Sequence, residues 1–249
     1  MKLLKYIGLI AIVVIINGQT FNNLIIQGKD QIQTAENQWD EKSLLESRAH
    51  FERVLILGEK EWLVNYYIAY CDYQLTNWAM SKQDKSSIKK YTNDGIKKLK
   101  ECLKLRPNFA DAYGLLSSFY GNKIALSPWT GFWYGPKSGK AISKAFSLEP
   151  ENPRIHLIHG ISFYFTPSKW GGGKGKAKES LRNAVELYPK EKVDPIMPDW
   201  GHSVAYGWLG LTELDIGDTV TAKAHFEKAL KIDSENNWIR YHLLPQLEE

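Results

Sequence analysis

A spacing of small, aromatic and proline residues that recurs along the chain constrains the fold more than any other feature of the sequence. Its clearest copy lies in residues 203–236, where two successive helical faces carry Tyr206, Leu209 and Gly210, and then Ala222, Phe226 and Ala229. Between these faces lie Gly217 and Asp218, a pair typical of a tight turn in which Gly ends one helix and Asp caps the next. The segment therefore predicts two helices that pack closely at their small residues.

The same frame recurs upstream. Counting back from Pro189, Pro150 and Pro107 finds small residues at the second-helix positions, each preceded by an aromatic-containing helix. The units predicted in this way lie near residues 31–59, 62–107, 110–150, 153–189 and 203–236, the first of them degenerate. An unrelated helical bundle has no reason to keep proline, small residues and aromatics in one register, so the recurrence is more specific than any single copy.

This spacing resembles the tetratricopeptide repeat (TPR), a helix–turn–helix unit of about 34 residues, over roughly residues 30 to 236. The resemblance implies an all-α, right-handed α-solenoid of stacked helix–turn–helix units, because one helix pair is too small to bury its own apolar face. Residues 237–249 are predicted to form a capping helix, with Trp238 and Tyr241 covering the last repeat.

The N-terminus has the pattern of a secretory signal. Lys2 and Lys5 precede an apolar run at residues 8–16, and small and polar residues follow it. The run is shorter than the roughly 20 residues of a membrane-spanning helix, so an uncleaved anchor is the weaker interpretation. We therefore predict a signal peptide at residues 1–18 and an exported solenoid at residues 19–249, either periplasmic or secreted. No cysteine follows the apolar run to carry a lipid, and no stable membrane insertion is expected after cleavage.

Charge and cysteine content narrow the class of protein further. Without residues 1–18, 30 Lys and Arg face 28 Asp and Glu, a net charge of +2. The lysines are spread over several predicted helix faces, which disfavours a nucleic-acid partner. Cys71 and Cys102 fall at core positions of the repeats, which favours two buried thiols and leaves a disulfide between them open.

Three consecutive units contain insertions that are predicted to form long loops between their helices, and every insertion contains both Trp and Lys. Stacked repeats project equivalent loops from one edge, so these side chains are predicted to form one binding rim. The rim residues are Trp78, Trp129, Trp133, Trp170, Lys137, Lys140, Lys174 and Lys176. Long loops are more often functional than not, although each Trp could equally fold back onto its own scaffold.

No catalytic or metal-binding pattern accompanies these features. The glycine-rich stretch at residues 171–176 is one residue short of a nucleotide P-loop and lacks its Ser or Thr, which leaves only a simple anion pocket open. His156 and His159 are three residues apart without a third metal ligand nearby in the sequence, and His159 is expected to be a packed core residue. The chain is therefore predicted to be neither an enzyme nor the carrier of a cofactor or metal.

The predicted function is a non-enzymatic scaffold that binds another protein or a peptide. The family resemblance places the groove contacts on the first helix of each unit, at Tyr67, Asp111, Arg154, Leu157, Ile161, Tyr164 and Trp208. A helix or an extended peptide would fit such a mixed and rather apolar surface. The alternative is a periplasmic small-molecule-binding component of a transport system, in which the aromatic loops close over a ligand pocket.

Overall fold

A computed structural model describes the backbone of residues 2–248 and the side chains of residues 20–248, and in this part of the chain all regular structure is helical. Ten α-helices follow one another. They are α1 (Lys2–Gln38), α2 (Glu41–Leu55), α3 (Glu61–Ser81), α4 (Lys85–Leu105), α5 (Ala110–Leu126), α6 (Gly131–Leu148), α7 (Pro153–Phe165), α8 (Lys174–Leu187), α9 (His202–Asp215) and α10 (Thr219–Ile232). The predicted signal peptide at residues 1–18 lies outside the residues whose side chains are described.

The helices pack as five successive hairpins, and each hairpin stacks on the next to form a solenoid. Glycines on the first helix let the paired helices approach closely. A Cβ at Gly28 would lie 2.4 Å from the ring of Phe51, and one at Gly210 would lie 2.5 Å from the ring of Phe226. The all-α solenoid predicted from the repeat frame is confirmed. In its first hairpin, α1 begins well before residue 31, where the first unit was placed from the sequence.

The long loops predicted in the second and third units are wrong, because most of these residues extend the helices instead. Only residues 82–84 separate α3 from α4, and a Ser followed by a 3₁₀ turn, Pro128–Thr130, separates α5 from α6. Gly131, Gly135 and Pro136 suggested a loop, but they lie inside α6. Packing against α5 overrides their low helix propensity, since Tyr134 stacks on Tyr120 with ring centroids 5.8 Å apart.

The fourth unit does contain an irregular connection, at residues 166–173. Gly171 and Gly173 have φ angles of +88° and +111°, a region that residues with a Cβ rarely adopt. The backbone N–H of Gly173 donates to the carbonyl of Phe163 at 2.9 Å, which closes the connection onto the end of α7. This stretch is therefore a compact turn of defined shape.

The chain ends in a cap that differs in detail from the prediction. A π-helical turn, Ile239–Leu243, is followed by a 3₁₀ turn, Leu244–Leu247. Ile239 and Leu243 are buried against the last hairpin and cover it. Tyr241 was expected to share this role, but it points outward and is 62% exposed, because the turn directs it away from α10.

The structure also describes the two cysteines and the apolar character of the helices. Cys71 and Cys102 are both buried free thiols, so no disulfide joins them in this structure. Within residues 20–248, no helix is long and apolar enough to cross a bilayer.

Candidate functional site

The concave side of the solenoid is filled by a segment of the chain itself. This groove segment, residues 191–200, belongs to the connection between α8 and α9, and it contains two prolines that remove backbone donors and disfavour helix. Its Ile196 is 5% exposed, and the hydroxyl of Tyr67 donates to the Ile196 carbonyl at 2.7 Å. The segment turns at residues 195–197, where the N–H of Met197 donates to the carbonyl of Asp194 at 2.8 Å, and α3 binds its backbone at this turn.

Trp200 anchors the end of the groove segment in an aromatic cluster on α3. Its ring stacks on Tyr70 with centroids 4.6 Å apart and planes inclined by 20°. Its Nε1 donates to the hydroxyl of Tyr66 at 2.9 Å, and its carbonyl accepts from the hydroxyl of Tyr188 at 3.0 Å. Because both the ring and the polar atoms of Trp200 are satisfied, this residue fixes the segment against the scaffold.

Lys29 of α1 holds the groove segment from its other side. Its Nζ donates to the carbonyls of Pro195 and Met197 at 2.7 and 2.9 Å, and it forms an ion pair with Asp199 at 2.8 Å. The side chain of Lys29 is only 12% exposed, which strengthens these charge-assisted hydrogen bonds. The N-terminal helix and the last inter-repeat connection are therefore joined across the groove.

A buried ion network ties the start of the groove segment to the repeats. The guanidinium of Arg154 donates through Nε to Asp111 at 2.5 Å and forms a bidentate pair with Glu191 at 2.8 and 2.6 Å. Burial alone would lower the pKa of Arg154, but the two carboxylates raise it well above its ordinary value. Asn152 donates to the other oxygen of Asp111 at 3.1 Å. The buried charges are thus paired and hydrogen-bonded, the condition under which they are tolerated.

A cavity of about 410 Å³ remains between α1, α3 and the groove segment. Its lining combines aromatic residues with ionisable side chains: Tyr67, Tyr70, Trp200, Lys29, Glu36 and Asp199. Burial raises the pKa of Glu36 to about 7, while hydrogen bonds from Tyr70 and Gln74 act in the opposite direction. A second cavity of about 310 Å³ lies on the other side of the segment, beside Arg154 and Glu191.

The groove segment determines which of the seven residues predicted to line the concave face are accessible to solvent. Tyr67, Asp111, Arg154 and Leu157 are buried, with 1–3% exposure. Tyr67 and Arg154 bind the groove segment directly, Asp111 pairs with Arg154, and Leu157 packs in the cluster that Trp200 joins. These four were predicted to face an open groove, and in this structure they are not accessible to a partner. The repeat spacing correctly placed these four residues on the concave face, but it did not predict that the groove segment would cover them.

The other three predicted concave residues, Ile161, Tyr164 and Trp208, remain partly accessible. Together with Phe165, which the sequence reasoning missed, two of them form a continuous aromatic surface, here called the aromatic stripe: Tyr164, Phe165 and Trp208. Their ring centroids lie 5.0 to 5.5 Å apart in edge-to-face contact, and Phe165 is 68% exposed. The Tyr164 hydroxyl donates to Asp215 at 2.6 Å, and Lys174 pairs with the same carboxylate. This network holds the stripe in place.

The predicted rim is divided among three places. Trp78 is partly buried against the cluster that contains Leu75 and Ile88, with Lys82 over its ring, so it serves the scaffold. Trp129 and Trp133 contact each other at the tip of the third hairpin, where Lys137 lies over Tyr134 and Lys140 is exposed.

Trp170 is 76% exposed in the connection after α7. The rim lysines beside it are engaged locally, because Lys174 pairs with Asp215 and Lys176 donates to the Gly171 carbonyl at 2.9 Å. Among the described residues, no ring contact joins Trp170 or Trp78 to Trp129 or Trp133.

The structure offers little for catalysis or metal binding in the part of the chain that it describes. No group of three or more His, Cys, Asp or Glu side chains within residues 20–248 could hold a metal ion. Burial lowers the pKa of His159 to about 4, and its ring packs against Phe163 at 4.0 Å, as a core histidine would. Burial also raises the pKa of the Cys102 thiol to about 12, which disfavours a reactive thiolate.

Comparison with known proteins agrees with this architecture. Residues 203–236 match the family model described as the tetratricopeptide repeat. The HusA haemophore from Porphyromonas gingivalis has a similar structure, with a TM-score of 0.64 and 22% identity over 80% of this chain and 93% of its own.

A thermophilic TPR protein from Thermus thermophilus is similar with a TM-score of 0.62 and 17% identity, over 89% of this chain and 100% of its own. No curated protein sequence matches the chain. At sequence identities of 22% and 17%, the two structural similarities support the fold alone.

Proposed function

From its tetratricopeptide-repeat fold, we propose that this chain is a non-enzymatic interaction protein that binds a protein or peptide partner on the aromatic stripe. The observation that carries the proposal is the mutual contact of Tyr164, Phe165 and Trp208 beside a groove that is already filled. First helices supply the partner contacts in this fold, and among the side chains of residues 20–248 those of the fourth and fifth units present a continuous accessible aromatic surface. Aromatic side chains dominate the energetics of such interfaces.

The position of the stripe indicates the kind of partner. Trp208 also contacts Trp238 of the cap at 5.4 Å, so the surface continues toward the C-terminus of the solenoid. Trp170, which follows Phe165 by five residues and is 76% exposed, is assigned to its edge. An amphipathic helix or an extended segment with apolar side chains at alternate positions matches a surface of this kind.

Site-specific photo-crosslinking in the native cell tests the proposal. A photoreactive phenylalanine at Phe165 should capture a discrete partner, since this side chain is exposed and its replacement should not disturb folding. Val220 on α10, which is 84% exposed, provides a control position away from the stripe. The same crosslinked band at both positions, or a band at neither, would contradict the assignment, and Phe165→Ala should abolish a crosslink made from Trp170.

We also propose that the chain is exported and that residues 1–18 are removed. The basic, apolar and small-residue pattern of the N-terminus supports this localisation. Fractionation and intact mass should find a protein that begins near residue 19 outside the cytoplasm. Recovery of the full-length chain from the cytoplasm would refute the export proposal without affecting the stripe.

A second candidate function is the binding of a small molecule in the cavity of about 410 Å³. Its volume and its mixture of Tyr67, Tyr70, Trp200 and ionisable groups favour a compact ligand with both apolar and polar parts. The predicted aromatic loops do not enclose it, because Trp78, Trp129, Trp133 and Trp170 line neither cavity. Quenching of Trp200 fluorescence by a ligand, absent in Trp200→Phe, would support this function, and haem belongs among the probes because a protein of similar fold is a haemophore.

A further inference from the structure

The tip of the third hairpin exposes three large aromatic side chains that no other part of the described chain covers. This aromatic tip consists of Trp129, Phe132 and Trp133, with 71%, 81% and 55% exposure. Trp133 contacts both other rings edge to face, with centroids 5.4 and 5.5 Å apart. Neighbouring exposed aromatics of this size mark interaction surfaces rather than ordinary scattered surface residues.

The aromatic tip projects beyond the following repeat. α5 and α6 contain 17 and 18 residues, whereas α7 and α8 contain 13 and 14. Both first helices begin three residues after an equivalent proline, Pro107 or Pro150, so the additional residues all lie at the tip end of the hairpin. Four more helical residues add about 6 Å of length. The tip therefore stands clear of the following repeat, and the longer second hairpin, whose α3 and α4 contain 21 residues each, flanks it on the other side.

A concentration of positive charge surrounds this projection. Residues 82–90 and 123–140, at the tip ends of the second and third hairpins, contain seven Lys against one Asp, a formal charge of +6, although the whole chain carries only +4. The one acid, Asp84, caps the N-terminus of α4. Lys82, Lys85 and Lys89 are exposed at the neighbouring tip of the second hairpin, and Lys137 and Lys140 are exposed on α6. The tip ends of these two hairpins therefore form a basic surface around the aromatic tip.

We propose that the aromatic tip and its surrounding lysines dock this protein peripherally onto an anionic lipid surface. Trp and Phe side chains partition into the headgroup region of a bilayer, and lysines near the surface are attracted by anionic headgroups. Exposed aromatic rings flanked by exposed lysines match the apolar character and the negative charge of an anionic headgroup region together. The aromatic tip shares no residue with the aromatic stripe.

Vesicle cosedimentation of the full chain tests the proposal. Binding to phosphatidylcholine vesicles that contain phosphatidylglycerol should exceed binding to phosphatidylcholine alone and should fall as salt is raised. Replacing all three tip aromatics with Ala should weaken binding at least about a hundredfold, from the apolar area withdrawn. Lys137→Gln and Lys140→Gln should each weaken it about fivefold. Tyr241→Ala, which removes an exposed aromatic on the C-terminal cap, is the control and should leave binding unchanged.

Several results would overturn the proposal. These are no binding to either vesicle, equal binding to both, or undiminished binding of the triple-Ala variant with an unchanged circular dichroism spectrum. If the tip instead mediates self-association, sedimentation velocity will show a dimer that the triple variant loses, without vesicle binding. If it binds nucleic acid, a single-stranded oligonucleotide will bind with the same dependence on the tip while the vesicles do not.

Discussion

The buried guanidinium of Arg154 provides the sharpest test of how the groove segment is held. Arg154 is 2% exposed and pairs with Asp111, whose side chain is 4% exposed, and with Glu191, whose side chain is 17% exposed. Arg154→Met keeps the volume but leaves the buried Asp111 carboxylate without its cation. Removing one partner of a buried ion pair typically costs about 3–5 kcal/mol, so we expect the free energy of unfolding to fall by that amount.

Urea denaturation monitored by circular dichroism measures this loss, and two further variants isolate its cause. Neutralising Arg154 together with its more deeply buried partner, in Arg154→Met with Asp111→Asn, should restore part of the stability, because the 4%-exposed Asp111 carboxylate is no longer left unpaired. Arg53→Met, at an exposed position on α2, is the control and should change stability by no more than about 0.5 kcal/mol. A loss below about 1 kcal/mol for Arg154→Met, or no rescue by the second substitution, would refute the ion-pair account.

Three other perturbations probe the packing, the cavity and the groove segment. Gly160→Ala should lower the free energy of unfolding by about 1–3 kcal/mol in urea titrations, because the added Cβ would lie 2.6 Å from the side chain of Leu181. At Gly135 an added Cβ would have no atom within 4 Å, so Gly135→Ala should be neutral or stabilising. Since burial raises the pKa of Glu36 to about 7 from its ordinary 4.5, the folded chain favours the protonated form. The part of the unfolding free energy that comes from protonated Glu36 should therefore be present below about pH 4.5. It should be lost as pH rises to about 7, by up to about 3 kcal/mol. Glu36→Gln should remove this pH-dependent loss when denaturation is measured at several pH values. Trp200→Ala should cost about 3–5 kcal/mol and speed amide hydrogen exchange throughout residues 191–200, and unchanged exchange would count against its anchoring role.

The helical solenoid was predictable because the residues that recur in the repeat are the ones that allow its helices to pack closely. Gly210, Ala222 and Phe226 define a hairpin whose helices touch, and the same relation recurs along the chain. The lengths of the hairpins were not predictable in the same way. Gly131 and Pro136 have low helix propensity, yet contacts between α5 and α6 keep them helical, and such tertiary contacts are not visible as a local pattern.

The groove segment was beyond the sequence reasoning for a different reason. Residues 191–200 show neither helical nor strand periodicity, and their partners Tyr67 and Lys29 are more than 120 positions away along the chain. One signal was present, since Ile196 and Met197 are apolar residues between two prolines in a connection longer than the other inter-repeat turns. An apolar pair in such a connection indicates burial against the scaffold. It would have favoured a filled groove over an open one.

The most direct test of this account is a measurement of whether the groove segment occupies the concave face in solution. In nuclear Overhauser spectra of protein selectively labelled at Trp and Tyr, the indole of Trp200 should show contacts to the ring of Tyr70, whose centroid lies 4.6 Å away. We predict these contacts together with protected amides in residues 191–200. Narrow, random-coil signals for the segment and no Trp200–Tyr70 contact would show that the groove is open, and would contradict the central claim.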